Sequence, residues 1–270
     1  LCAMKEYGVV VCEKSETILE KGMASIQKEL SRLAKGGKLS DDHAERIFGK
    51  IESTTNFDAF GACDLVIEAV TEDLALKKRI FSEIDEICPE HSILTTNTSV
   101  LPVIEMARAT SRPEKVLGTH FLTPPQIIPL LELVCTLMTG KEILKEITDF
   151  GKRLGKRVVV SKDRPGFIVN RVLTSIMFNA VRLLEEDVAD KESIDAAMEV
   201  GLGLPMGPLR LLDLIGMDTV VLGSDALYRE LNDPQYACPI SIRRMVSAGW
   251  LGRKSGKGFY EYKWDHPTIS

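Results

Sequence analysis

Three polar side chains with chemical capacity fall within residues 94–134. Ser99 follows Leu94-Thr95-Thr96-Asn97-Thr98, His120 lies in Val116-Leu117-Gly118-Thr119-His120-Phe121, and Glu132 lies in Leu130-Leu131-Glu132-Leu133-Val134. Each short, apolar, β-prone run delivers a hydroxyl, an imidazole or a carboxylate at or near an end, as an α/β sheet does along one edge. Imidazole, with an ordinary pKa near ~6.5, is suited to taking a hydroxyl proton at neutral pH. A carboxylate on its far nitrogen would fix the tautomer and stabilise the imidazolium. That is the equipment for general acid–base chemistry at an alcohol or a carbonyl. Asn170, in the first turns of a later helical run, is a fourth polar group. Singly, each has a plainer use: a packed histidine, the polar face of a strand, a cap for the helix containing Pro102, the closing of a helix start. Together they point to catalysis.

The elements that would position these groups alternate. Val9 to Cys12 is a continuous apolar run ended by Glu13, which suits a buried parallel strand, and Leu1 to Tyr7 reads as the tail of a helix stopped by Gly8. Ser15 and Ser40 are placed to cap two helices, the first running to Gly36-Gly37 and the second through Ile47 and Phe48. Strand-like runs at 51–54, 65–70, 93–96, 116–121, 130–135 and 158–160, with a helix over 74–88, imply right-handed crossovers and a largely parallel sheet. After Ser161 the pattern becomes helical: a long run from Phe167 to Glu186, then 192–200, 209–214, 218–231 and 240–248. The expected fold is α/β, a doubly wound Rossmann-type domain over 1–162 followed by an all-α C-terminal domain over 163–270.

The 270 residues suffice for two domains, and 44% hydrophobic content can fill a sizeable core. A net charge of -5 with interleaved signs gives no reason to expect nucleic acid or an anionic membrane as partner. The best candidate for a membrane span, Ile127 to Met138, is interrupted by Pro129 and Glu132 and is too short to cross a bilayer. Six scattered cysteines suggest neither a metal site nor a redox pair, and reduced thiols fit a cytoplasmic protein, or one of the mitochondrial matrix in a eukaryote.

A doubly wound domain usually binds a dinucleotide with a Gly-rich turn after its first strand, and an acidic residue roughly 20 positions later accepts the ribose hydroxyls. Glu13 stands at a strand end where that residue belongs, and its charge favours NAD over NADP, although the adjacent Lys14 works against the distinction. A solvated strand-end carboxylate is the plain alternative. Counting back from Glu13 falls before Leu1. The expectation is a sequence trimmed ahead of its first strand and Gly-rich turn, or a fragment with damaged cofactor binding; otherwise the start is genuine and no dinucleotide binds.

The combined motifs resemble the L-3-hydroxyacyl-CoA dehydrogenase family over essentially the whole chain. They are 66–72 (VIEAVTE), 96–99 (TNTS), His120-Phe121, 165–171 (PGFIVNR), 205–208 (PMGP) and 256–260 (GKGFY). The resemblance implies His120 as general base, Glu132 as its partner, and Ser99 and Asn170 as substrate contacts. It likewise implies NAD as cofactor, contacted by Glu13, Glu72, Lys77, Asn97, Ser99, Thr123 and Lys254, and a role in fatty acid β-oxidation. Thr123 departs from the family's His-Phe-x-Asn-Pro, shortening a polar contact near the nicotinamide, and Pro129 stands where many members carry lysine. Pro124-Pro125 and Ile128-Pro129-Leu130 resemble the gulonate dehydrogenase and lens crystallin branch, so dehydrogenation of free hydroxy acids and a non-catalytic structural or binding role are the alternatives.

For an acyl-CoA substrate there is a separate clue. Lys28, Arg32, Lys35 and Lys38 are spaced as a basic stripe along one helix and its exit, with Lys35 and Lys38 best placed for CoA phosphates; a solvated face is equally compatible. Apolar runs at 172–184 and 220–227 exceed what one small domain buries and predict a homodimer through residues after 163.

Overall fold

In a computed structural model of the chain, residues 1–262 are described. They form two compact units, one of residues 1–98 and 102–163, the other of 99–101 and 164 onward.

The first unit opens with a single turn of 3-10 helix over Ala3–Lys5, ended by Glu6 in the left-handed region at φ 68°, where a helix tail running to Gly8 was expected. Two parallel strands follow, β1 (Val9–Cys12) and β2 (Ile51–Thr54), joined through α1 (Glu16–Lys35) and α2 (Asp41–Phe48). Ile26 and Leu30 of α1 pack with Ala44 and Ile47 of α2, and with Val9 and Ile51 beneath them. Ser40 caps α2 by accepting from the His43 amide at 3.2 Å, whereas Ser15 occupies the cap position of α1 without making that bond. The β1 side chains are half-buried, where a fully buried strand was expected, because β1 pairs with β2 alone among the described residues.

The second sheet has five strands in the order β3-β4-β5-β6-β7, namely Leu65–Glu68, Ile93–Thr96, Val116–Phe121, Leu130–Cys135 and Arg157–Lys162. Helices α3 (Leu74–Ile87), α4 (Val103–Ala107) and α5 (Lys141–Arg153) connect them; α5 is a helix that residue spacing alone left unassigned. Neighbouring strands run parallel except β5 and β6. The reason is the connection: a parallel return needs a crossover of a dozen or more residues, and only the short loop over 122–129 joins these two strands. Leu117, Leu131, Leu133 and Ile147 form the core against this sheet. Gly118 lets α4 approach β5, since a Cβ there would stand 2.8 Å from Val134 Cβ and 3.3 Å from Val103 Cγ2.

The second unit is helical, with α6 (Val169–Glu185), α7 (Lys191–Leu202), α8 (Pro208–Ile215), α9 (Met217–Leu231) and α10 (Ile240–Ser247), apart from isolated β-bridges pairing Gly252 with Lys257 and Lys257 with Glu261. The long helix starts at Val169 because Gly166 and Phe167 before it both have positive φ. Its core joins Phe178, Val181, Leu209, Leu212, Met217 and Ile242. Two buried aspartates organise the connections. Asp195 accepts the amides of Leu209 and Arg210 at the start of α8, and Asp213 accepts those of Phe259 and Tyr260. Gly207 and Gly258 lie directly against these carboxylates, where any Cβ would collide with Asp195 or Asp213.

Candidate active site

The antiparallel turn of the sheet builds the central pair. In the β5–β6 register His120 stands directly opposite Glu132, and cross-strand neighbours have Cβ atoms about 5 Å apart, a span that an imidazole and a carboxylate bridge. His120 Nδ1 lies 2.7 Å from Glu132 Oε2, with His120 3% and Glu132 0% exposed. A carboxylate so buried is stabilised only by partners of this kind. The strand end is held on both sides: Asn97 Oδ1 accepts from the Phe121 amide at 2.8 Å, and Thr119 donates to Thr95, which donates to the Val66 carbonyl. Asn97 thus braces the residue after His120.

Within the first unit, Glu13, Glu72 and Thr123 follow the carboxyl ends of β1, β3 and β5. Glu13 is exposed just beyond β1, its carboxylate accepting from the Lys14 amide at 3.3 Å. Glu72 lies in the β3–α3 loop with its side chain 41% exposed; Thr98 Oγ1 donates to Oε2 at 2.8 Å. Lys77 on α3 lies beneath this loop, 1% exposed, donating to Glu68 Oε1 at 2.6 Å and to the Val70 carbonyl at 3.0 Å. Sequence reasoning did not single out Glu68. Its signal was a carboxylate inside the apolar run 65–70, with a lysine nine residues on.

Thr123 is exposed in the 122–129 loop and precedes a cis peptide bond to Pro124. Lys156 pins that loop, its ammonium donating to the carbonyls of Pro125 and Ile128, and burial pushes its pKa below the ordinary lysine value. Lys35 and Lys38 are exposed at the end of α1 and beyond it, as is Lys28. Arg32 in the same stripe is engaged by Glu29 through two bonds of 2.8 and 2.6 Å, which hold the Glu29 carboxyl below its usual range.

The remaining residues belong to the second unit. Ser99, half-buried, lies in the segment 99–101 that clusters with it, and Asn170 is the second residue of α6 and also half-buried. Lys254 is exposed, with Nζ 2.5 Å from Asp218 Oδ1, and this contact lowers the Asp218 pKa. Gly216, at φ 98°, admits Lys254: a Cβ there would stand 3.0 Å from Nζ. Among the described residues no group of three His, Cys, Asp or Glu is arranged to hold a metal ion, and no helix is long and apolar enough to cross a membrane.

A five-stranded, mostly parallel sheet with polar groups at its carboxyl edge, followed by a helical unit, defines a Rossmann-type α/β protein with a helical C-terminal part. Residues 1–164 match the family described as 3-hydroxyacyl-CoA dehydrogenase, NAD binding domain, and residues 166–262 match 3-hydroxyacyl-CoA dehydrogenase, C-terminal domain. The chain is 41% identical over 256 residues to a 3-hydroxybutyryl-CoA dehydrogenase of Mycobacterium tuberculosis, covering 94% of this chain and 90% of that one. It is 37% identical to the mitochondrial hydroxyacyl-coenzyme A dehydrogenase of Sus scrofa, covering 97% and 86%. Among solved structures, the (S)-3-hydroxybutyryl-CoA dehydrogenase of Ralstonia eutropha superposes with a TM-score of 0.93 at 38% identity, covering 97% of this chain and 93% of that one. The chain belongs to the 3-hydroxyacyl-CoA dehydrogenase family.

Proposed function

We propose that this chain interconverts L-3-hydroxyacyl-CoA and 3-oxoacyl-CoA with NAD, acting on short or medium acyl chains, and that His120 is the general base. The observation that carries the mechanism is the buried 2.7 Å contact between His120 and Glu132. With Nδ1 committed to the carboxylate, Nε2 becomes the atom that exchanges a proton with the 3-hydroxyl. Glu132 stabilises the imidazolium formed in that step. Bound NAD supplies the hydride acceptor. The donor set suits it, since Glu13 and Glu72 present carboxylates beyond β1 and β3, where ribose hydroxyls are accepted. Ser99 and Asn170 supply the hydroxyl and amide that hold the substrate oxygen. Asn97, Thr123 and Lys254 complete the cofactor contacts, while Lys77 acts from beneath the loop.

Lys35 and Lys38 supply exposed cations for the CoA phosphates. We assign residues 1–162 to cofactor binding and 163–270 to substrate binding and dimerisation. Val172, Val200, Leu202, Leu214 and Leu222 leave apolar surface exposed on the second unit, which supports a homodimer through it. The six unpaired cysteines fit a reducing compartment, the cytoplasm or a mitochondrial matrix. The deciding experiment compares acetoacetyl-CoA with free acetoacetate, using NADH and NADPH in turn. The reading requires the CoA thioester and NADH to be preferred; equal turnover of the free acid overturns the substrate, and light scattering of a monomer overturns the dimer.

A further inference from the structure

Glu68, which no cofactor or substrate role claims, is the most heavily engaged carboxylate near the β3–α3 loop. It is 5% exposed, and both oxygens are occupied. Oε1 accepts from Lys77 Nζ and from the Val70 amide, each at 2.6 Å, and Oε2 accepts from Thr96 Oγ1 at 2.7 Å. One side chain thereby ties together the end of β3, the loop after it, a lysine near the start of α3, and the end of β4.

Two routes lead from Glu68 to Glu72. Through α3, the Lys77 ammonium that Glu68 holds lies 3.8 Å from Glu72 Oε2. Through β4, Thr96 Oγ1 accepts from the Thr98 amide at 3.2 Å, and Thr98 Oγ1 donates to Glu72 Oε2 at 2.8 Å. A single buried lysine therefore stands between two carboxylates, near at 2.6 Å to the buried one and farther at 3.8 Å from the exposed one. A buried ammonium left without its closest counter-charge is costly and moves toward the next carboxylate. Neutralising Glu68 would release Lys77 onto Glu72 and draw that carboxylate down from the surface of the loop.

We propose that Glu68 is a positioning residue for NAD binding, acting through Lys77 and Thr98 to hold the Glu72 carboxylate outward, without touching the cofactor itself. This rests on the reading of Glu72 as a cofactor contact. The test measures NADH affinity, steady-state constants and melting temperature for full-length Glu72→Gln, Glu68→Gln and the double variant. A charge-assisted bond displaced from the ribose predicts that each single variant weakens NADH binding by about tenfold to a hundredfold. In Glu68→Gln, kcat at saturating NAD and KM for the acyl-CoA should stay within about twofold, a split that general loosening of the fold would not produce. Because both act through one carboxylate, the double variant should be no weaker than the weaker single one.

Additive losses, or unchanged affinity in Glu68→Gln beside a weakened Glu72→Gln, overturn the role of Glu68 alone. Unchanged affinity in Glu72→Gln overturns the reading of Glu72, and with it the route. If Glu68→Gln does not fold, Thr98→Val cuts the β4 route at its last bond and must weaken NADH binding in the same non-additive way.

Discussion

Replacing Glu132 by Gln keeps the size of the side chain and removes the charge behind His120. The amide can still accept from Nδ1, so the ring stays near its place at the β5–β6 register, but with His120 as the proposed base the imidazolium it would form loses its counter-charge. For charge centres about 4 Å apart at an effective dielectric near 20, that interaction amounts to roughly 4 kcal/mol. The contact is short, at 2.7 Å, and both groups are buried, so solvent does little to replace it. Spread over the barrier at about 1.36 kcal/mol per tenfold, the loss is close to a thousandfold in kcat. NADH and acyl-CoA affinities should change little, because neither ligand is assigned to Glu132. The assay is NADH formation from L-3-hydroxybutyryl-CoA, with melting temperature as the check on folding. A folded variant that loses less than tenfold in kcat would show that the carboxylate only packs, and would refute its part in the mechanism.

Other outcomes follow from separate features. Charge reversal of Lys35 and Lys38 together should raise KM for acetoacetyl-CoA at low salt with kcat preserved, and an unchanged KM would move the phosphates elsewhere. Gly207→Ala must displace the Asp195 carboxylate from α8 and should cost about 1–3 kcal/mol in urea unfolding, where a neutral result would contradict the packing seen there. Burial raises the Asp213 carboxyl above its ordinary 3.8, overcoming the Tyr260 and Phe259 amides that lower it. The native state therefore binds the extra proton first on acidification, and stability contributed by this group increases as pH falls from its raised value toward 3.8. The stability gap between the parent and Asp213→Asn should accordingly shift in the parent's favour at the acidic end, and a shift the other way would reverse the sign assigned to burial.

Much of this organisation was legible in the residue pattern, for reasons that differ by element. Amphipathic spacing marks α1, α3 and α9, and capping residues such as Ser40 mark a start. Short apolar runs place His120 and Glu132 on strands, but their antiparallel pairing departs from the largely parallel sheet expected there, because the eight residues between Phe121 and Leu130 are too few for a crossover. The Glu68–Lys77 pair was not legible, because it depends on where α3 packs against the loop after β3, and a nine-residue separation has no helical or strand period. Likewise Gly207 and Gly258 read only as punctuation; what they accommodate, Asp195 and Asp213, reaches them across the fold. Helix α5 carries a strongly amphipathic face but is preceded at its cap position by Gly140, which has no side chain to cap it and leaves its start unmarked.

Everything proposed for catalysis turns on His120 as the proton acceptor of an acyl-CoA dehydrogenation dependent on NAD. The most direct test is single-turnover oxidation of L-3-hydroxybutyryl-CoA by His120→Ala, run beside NADH titration of the same sample. The account requires NADH to bind as in the parent while the hydride-transfer step slows by at least a thousandfold, about 4 kcal/mol of barrier. Turnover at the parent rate in a variant that binds NADH normally would contradict it.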